Sequence, residues 1–83
     1  MFPEIREIPC ESKLECFALI NWTIQWFKDH AFMLVSDMYE HLELEPIPEE
    51  AYHYCWLTPS DFMLHKAESQ YYLVTKDPIE IVD

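Results

Sequence analysis

Eight carboxylates fall between Lys28 and Lys66 with no lysine or arginine among them: Asp29, Asp37, Glu40, Glu43, Glu45, Glu49, Glu50 and Asp61. Asp37, Glu40 and Glu43 step by three, a spacing that places them on one side of a helix with neighbouring Cβ atoms about 5–6 Å apart. Like charges at that interval destabilise a helix by a few tenths of a kcal/mol per pair. A row of carboxylates offers arginine and lysine what a phosphate backbone offers them. The chemistry in question is recognition: imitation of a nucleic-acid strand, or a general acidic docking patch. A solvated helix face followed by an acidic loop is the plain alternative. The candidate contacts are Asp37, Glu40, Glu43, Glu45, Glu49 and Glu50.

A second candidate group is the stripe Leu19, Trp22 and Trp26. Aromatic anchors dominate interface energetics when they fill a pocket. They are more commonly ordinary core residues of a helix held between other elements. Trp22 or Trp26 is the expected apolar anchor, and a homodimer through this helix follows if the sheet covers only one of its faces. An acidic rim around a Trp–Tyr centre would suit an inhibitor.

Other chemistries are poorly supplied. His53 and Cys55 point the same way on a strand, and His41, Cys10 and Cys16 are further potential ligands. Their spacing matches no zinc module and there is no CxxC, so the metal expectation is none. Ser12, Ser36, Ser60 and Ser69 lack a nucleophile-elbow context, and no HExxH occurs. His30, His41, His53 and His65 each have acids nearby, but acids are everywhere, so such a pairing carries no information without a pocket. The chain contains no glycine, where average usage predicts about six. That removes the P-loop, the dinucleotide fingerprint and the glycine-rich phosphate cradle. No cofactor and no enzymatic activity are expected.

Eighty-three residues suffice for one domain, 1–83, without a second core. Half the residues are hydrophobic and 16% aromatic, which argues against disorder. Sixteen acids against five Lys and Arg give a formal charge of −11. Such a surface repels nucleic acid and anionic membrane, so direct binding of either is not expected. It favours a basic partner and speeds the encounter at low salt. Solubility of a small hydrophobic protein is the bland account of the same charge.

Residues 1–9 have no basic n-region or apolar h-region and do not read as a signal peptide. The longest apolar region, from Leu14 onward, is broken by Glu15, Asn21, Gln25, Lys28 and Asp29, so it does not span a membrane. Three cysteines are an odd count without the density of a secreted scaffold. They read as small buried hydrophobes in a reducing, cytoplasmic setting, the host cytoplasm if the chain is phage-encoded.

The elements that position these residues follow from periodicity. Residues 12–29 form the one long periodic segment. Ser12 and Glu15 stand at capping-box spacing. Phe17, Ile20, Ile24 and Phe27 mark one face, and Leu19, Trp22 and Trp26 a second stripe. A helix apolar nearly all round must be covered on most sides. Residues 4–8, bracketed by Pro3 and Pro9, suit an edge strand. Residues 31–35 are open between helix and strand. Ser36 and Asp37 restart a helix, with Asp37 and Glu40 at capping-box spacing, which must stop before Pro46. In residues 51–58 Tyr52, Tyr54 and Trp56 alternate on one strand face against Ala51, His53, Cys55 and Leu57. Thr58-Pro59-Ser60-Asp61 predicts a short helix over 62–67, with a strand hairpinned to 71–75 as the alternative. Residues 79–82 read as a final strand.

The fold expectation is α+β: a long central N-terminal helix and one or two shorter helices packed on a small, mainly antiparallel sheet. In size, acidity and lack of a catalytic motif the chain resembles small intracellular inhibitors. These include phage proteins that block host nucleic-acid enzymes, such as anti-CRISPR proteins and uracil-DNA glycosylase inhibitors, and also nuclease immunity proteins. The resemblance is one of composition over the whole chain and transfers no functional residue. It implies a non-enzymatic acidic inhibitor or decoy, a nucleic-acid mimic whose partner is a basic nucleic-acid-binding protein such as a nuclease. The competing expectation is a small structural subunit or adaptor docking through the Leu19, Trp22, Trp26 face. Binding of the first kind is salt-sensitive; binding of the second kind resists salt.

Overall fold

Ser12 begins the first helix as its spacing predicts. Its Oγ accepts the Glu15 N–H at 3.2 Å, and α1 runs Lys13–Asp29. The Glu15 carboxylate turns back one residue further than a capping box requires, accepting the Glu11 N–H at 3.3 Å. The structure, a computed structural model, describes residues 6–82.

This helix is covered on one side rather than most. Cys16, Leu19 and Thr23 are buried, and Ile20, Trp22, Trp26 and Phe27 are half-buried beside them. Phe17 and Ile24, expected on the covered face, are 47% and 40% exposed, and Leu14 is 78% exposed. A line centred on Cys16, Leu19 and Thr23 lies between the two apolar stripes. Centring the contact there buries part of both, with the indoles on one flank and Ile20 and Phe27 on the other. Thr23 enters the core because its hydroxyl donates to the Ile20 carbonyl at 2.6 Å.

The cover is an antiparallel sheet of order β1-β5-β4, with β1 Glu7–Cys10, β4 Phe62–Ala67 and β5 Gln70–Thr75. Register pairs Ile8 with Leu73, Leu64 with Leu73, Cys10 with Tyr71 and Phe62 with Thr75. These residues share the face turned to α1. Pro9 sits inside β1, where an edge strand tolerates its missing N–H. Of the strand expected over 4–8, Glu4 and Ile5 lie outside the described residues. Cys10 and Cys16, expected as separate thiols, are joined in a disulfide that ties β1 to the start of α1 with Cα atoms 5.7 Å apart. Cys55 is a free, buried thiol.

The expected helix over 62–67 gives way to the alternative hairpin. Thr58 does cap a turn, accepting the Ser60 N–H at 3.3 Å, but Pro59–Asp61 is a single 3-10 turn. Beyond it Phe62 and Leu64 alternate toward α1, a period-2 demand that a helix cannot meet. The hairpin reverses at Glu68 and Ser69, with Glu68 at φ 58°.

Residues 31–35 resolve into β2, Met33–Leu34, followed directly by α2, Val35–His41. Asp37 is not the N-cap; it sits in the first turn, and its Oδ2 accepts the Leu34 N–H at 2.9 Å. The helix ends in a Schellman arrangement: Leu44 N–H donates to Tyr39 O at 2.9 Å and Glu43 N–H to Glu40 O at 3.1 Å. Glu43, at φ 57°, occupies the left-handed position usually given to glycine.

The second sheet has the order β2-β3-β6, with β3 Tyr54–Trp56 and β6 Ile79–Glu80, all antiparallel. The strand expected over 51–58 is shorter because Glu49–Tyr52 is a 3-10 turn packed on α2. Cys55 and Trp56 are both buried, so the alternating pattern fails where the middle strand is covered on both faces. Trp56 joins the two sheets. Its Nε1–H donates to Lys76 O at 2.8 Å, and its ring meets Phe62 edge-on at 5.0 Å. The expected α+β architecture holds, with two three-stranded sheets in place of one. Among the described residues no helix is long and apolar enough to cross a membrane.

Candidate functional site

Trp22 and Trp26 lie one helical turn apart on the flank of α1 not shielded by the first sheet, their ring centroids 5.7 Å apart and tilted by 53°. Each indole carries a histidine on its face. His41, at the last turn of α2, stacks on Trp22 at 3.7 Å with the planes 6° apart. His30, the C-cap of α1, stacks on Trp26 at 4.0 Å and 15°. The His30 Nδ1 lies 3.0 Å from the Trp26 carbonyl, which also accepts the His30 backbone N–H at 3.0 Å. Trp26 is pinned from the other direction, because its Nε1–H donates to Phe32 O at 3.0 Å. Partial burial against the indole holds the His41 pKa below its ordinary value of 6.5, so the ring is neutral at pH 7.

Helix α2 brings acids to this aromatic row. Trp22, Trp26, Asp37, Glu40 and His41 line an open depression of about 300 Å³. A neighbouring depression of about 500 Å³ is lined by Trp26, Asp29, His30, Ala31, Phe32 and Asp37. They share Trp26 and Asp37, and together they form a shallow groove lined by the second half of α1, the residues after it, and one side of α2. Indoles and imidazoles contribute its flat walls, and Asp29, Asp37 and Glu40 its charge. Asp37 is half-buried and held by its bond to Leu34, whereas Glu40 is exposed.

The candidate residues therefore separate into groups. Trp22, Trp26, Asp37 and Glu40 come together. Glu43 falls outside α2, so the expected helical row of three acids is reduced to Asp37 and Glu40. Glu45 lines a different, open depression of about 620 Å³ with Pro46, Ile47 and Tyr52. Glu49 and Glu50 are exposed in the 3-10 turn that packs on α2. Leu19, the third member of the aromatic stripe, is 8% exposed and belongs to the core.

Sequence reasoning named Asp29, His30 and His41 without assigning them to this site, and did not name Phe32. A signal existed for one of them: Trp22, Trp26 and His30 recur at four-residue steps, which stacks them along one helix side. His41 comes from another element, and no local spacing announces it. Among the described residues no group of three or more His, Cys, Asp or Glu is placed to hold a metal ion. His53 is exposed while Cys55 is buried, and Cys10 and Cys16 are bonded to each other.

Compared with protein-family models, curated proteins and solved structures, the chain matches none of them.

Proposed function

We propose that this protein is a non-enzymatic acidic inhibitor or decoy that occupies the basic, nucleic-acid-binding surface of another protein. The observation that supports this reading is the groove itself, where Asp37 and Glu40 border the indoles of Trp22 and Trp26. An apolar anchor beside acidic charge suits a partner whose arginines and lysines normally meet phosphate and base together. The formal charge of −11 adds long-range attraction to such a surface. The nearest histidines serve as packing partners of the indoles, which fits a binding role better than acid–base work.

The test is affinity capture from cell lysate at low salt, elution with salt, and competition by added nucleic acid. The variant for comparison is Glu40→Lys, Glu43→Lys, Glu49→Lys. It spares Asp37, whose reversal would also remove the cap on Leu34. The expected result is a basic protein released by salt and by nucleic acid, and not retained by the variant. A partner held equally by the variant and indifferent to nucleic acid overturns the reading.

One observation favours an adaptor instead, though through a different face from the Leu19, Trp22 and Trp26 one expected: Leu14, Phe17 and Ile24 remain exposed on the other flank of α1. Its binding would persist at high salt and fail in Leu14→Ser, at a side chain 78% exposed.

A further inference from the structure

Resting on the proposed function and deepening it, we infer that the groove between α1 and α2 receives an arginine side chain of the partner, its guanidinium lying against Trp22 and Trp26 and bonded to Asp37 and Glu40. Three features select this occupant. The first is charge: the groove carries Asp29, Asp37 and Glu40, and no lysine or arginine is among the residues that line it. His41 does not neutralise them at pH 7, since its ring is uncharged there.

The second is shape. One face of each indole is already taken by a histidine, at 6° on Trp22 and 15° on Trp26, so a guest meets the remaining indole surface that lines the depression beside Asp37 and Glu40. A guanidinium is planar, weakly hydrated and stacks on aromatic faces, whereas an ammonium is a strongly hydrated point charge. The third is acceptor geometry. Asp37 spends one oxygen on the Leu34 N–H and retains further lone pairs, and Glu40 adds two more oxygens. A guanidinium has five N–H donors in a fixed fork to meet them; lysine's three donors do not form a planar fork. The indoles are held in advance, Trp26 by its bond to Phe32 O and Trp22 by His41, so little ordering is required on binding.

The test needs no identified partner. Protein labelled at its indole nitrogens is titrated with capped Arg-Arg dipeptide, with capped Lys-Lys dipeptide, and with sodium chloride at matched ionic strength. The indole N–H resonances are followed by NMR. Trp56 is the internal reference, because it is 1% exposed and bonded to Lys76 O. The expected result is a saturable shift of Trp22 and Trp26 with Arg-Arg, none at Trp56, and binding several-fold weaker for Lys-Lys. Glu40→Gln, a change at an exposed position that leaves Asp37 and the fold intact, weakens Arg-Arg binding several-fold. Equal responses to Arg-Arg, Lys-Lys and salt, or no response at Trp22 and Trp26, overturn the inference. If the dipeptide fails while capture still returns a protein displaced by nucleic acid, the groove assignment falls and the proposed function stands. If the dipeptide binds and no such protein is captured, the reverse holds.

Discussion

A chain without glycine must make its left-handed turns from other residues, and Glu68 shows what that costs. It reverses the β4–β5 hairpin at φ 58°, where an L-residue brings its Cβ too close to the following carbonyl. That conformation costs about 1–2 kcal/mol for a residue with a Cβ. Glycine removes the clash but loses more freedom on folding, an offset of about 0.5–1 kcal/mol. The net expectation for Glu68→Gly is a gain of roughly 0–1.5 kcal/mol, with about 0.5–1 kcal/mol at the middle of that span. At about 4–8 °C per kcal/mol for a domain of this size, the middle of the span raises Tm by roughly 2–8 °C. Glu68→Ala is the control, because it removes the same charge and keeps the Cβ. Its effect should stay within about 0.5 kcal/mol, as for other exposed substitutions. Thermal unfolding followed by circular dichroism reads both variants. If Glu68→Gly melts no higher than Glu68→Ala, the backbone argument is wrong and the residue does not bear a left-handed strain. Glu43, at φ 57° in the Schellman end of α2, is an independent repeat of the experiment.

Two further outcomes are expected. Alkylation of protein purified without reductant, then denatured, should add one group, at Cys55; reduction first should add three. Opening the Cys10–Cys16 loop, of sequence separation 6, should lower stability by about 2 kcal/mol on a chain-entropy account. Three adducts without reductant would show that the cysteines are separate thiols, as their sequence context suggests. The His41 pKa is lowered in the fold by burial, so the unfolded chain binds the proton more readily. The stability tied to its neutral form is complete above pH 6.5, its unfolded value, and declines as pH falls toward the lower folded value. Denaturant melts between pH 8 and 5 should show wild type losing ground to His41→Gln over that window; parallel curves would remove the effect. Comparison with the variant isolates the contribution of His41 from that of the rest of the chain.

The elements built on local spacing were legible in the chain. Ser12 and the apolar run behind it mark α1, and the β-branched and aromatic residues of 71–75 mark the strand that becomes β5. Acidity and the lack of glycine are likewise properties of the chain alone, and they direct attention to recognition rather than nucleotide chemistry. Which side of α1 is buried was not legible, because apolar residues surround most of the helix and local periodicity offers two competing stripes. The sheet decided by burying the line of Cys16, Leu19 and Thr23 between them. Residues 62–67 could satisfy a helix start or a hairpin, and only the pairing of Leu64 with Leu73 selected the strand. The groove depended most on tertiary structure. Trp22 and Trp26 share a helix side by spacing, but His41, Asp37 and Glu40 reach them only through the tertiary placement of α2. Spacing along one element determines which of its own side chains meet; contacts between elements depend on how their buried faces fit, which no local pattern records.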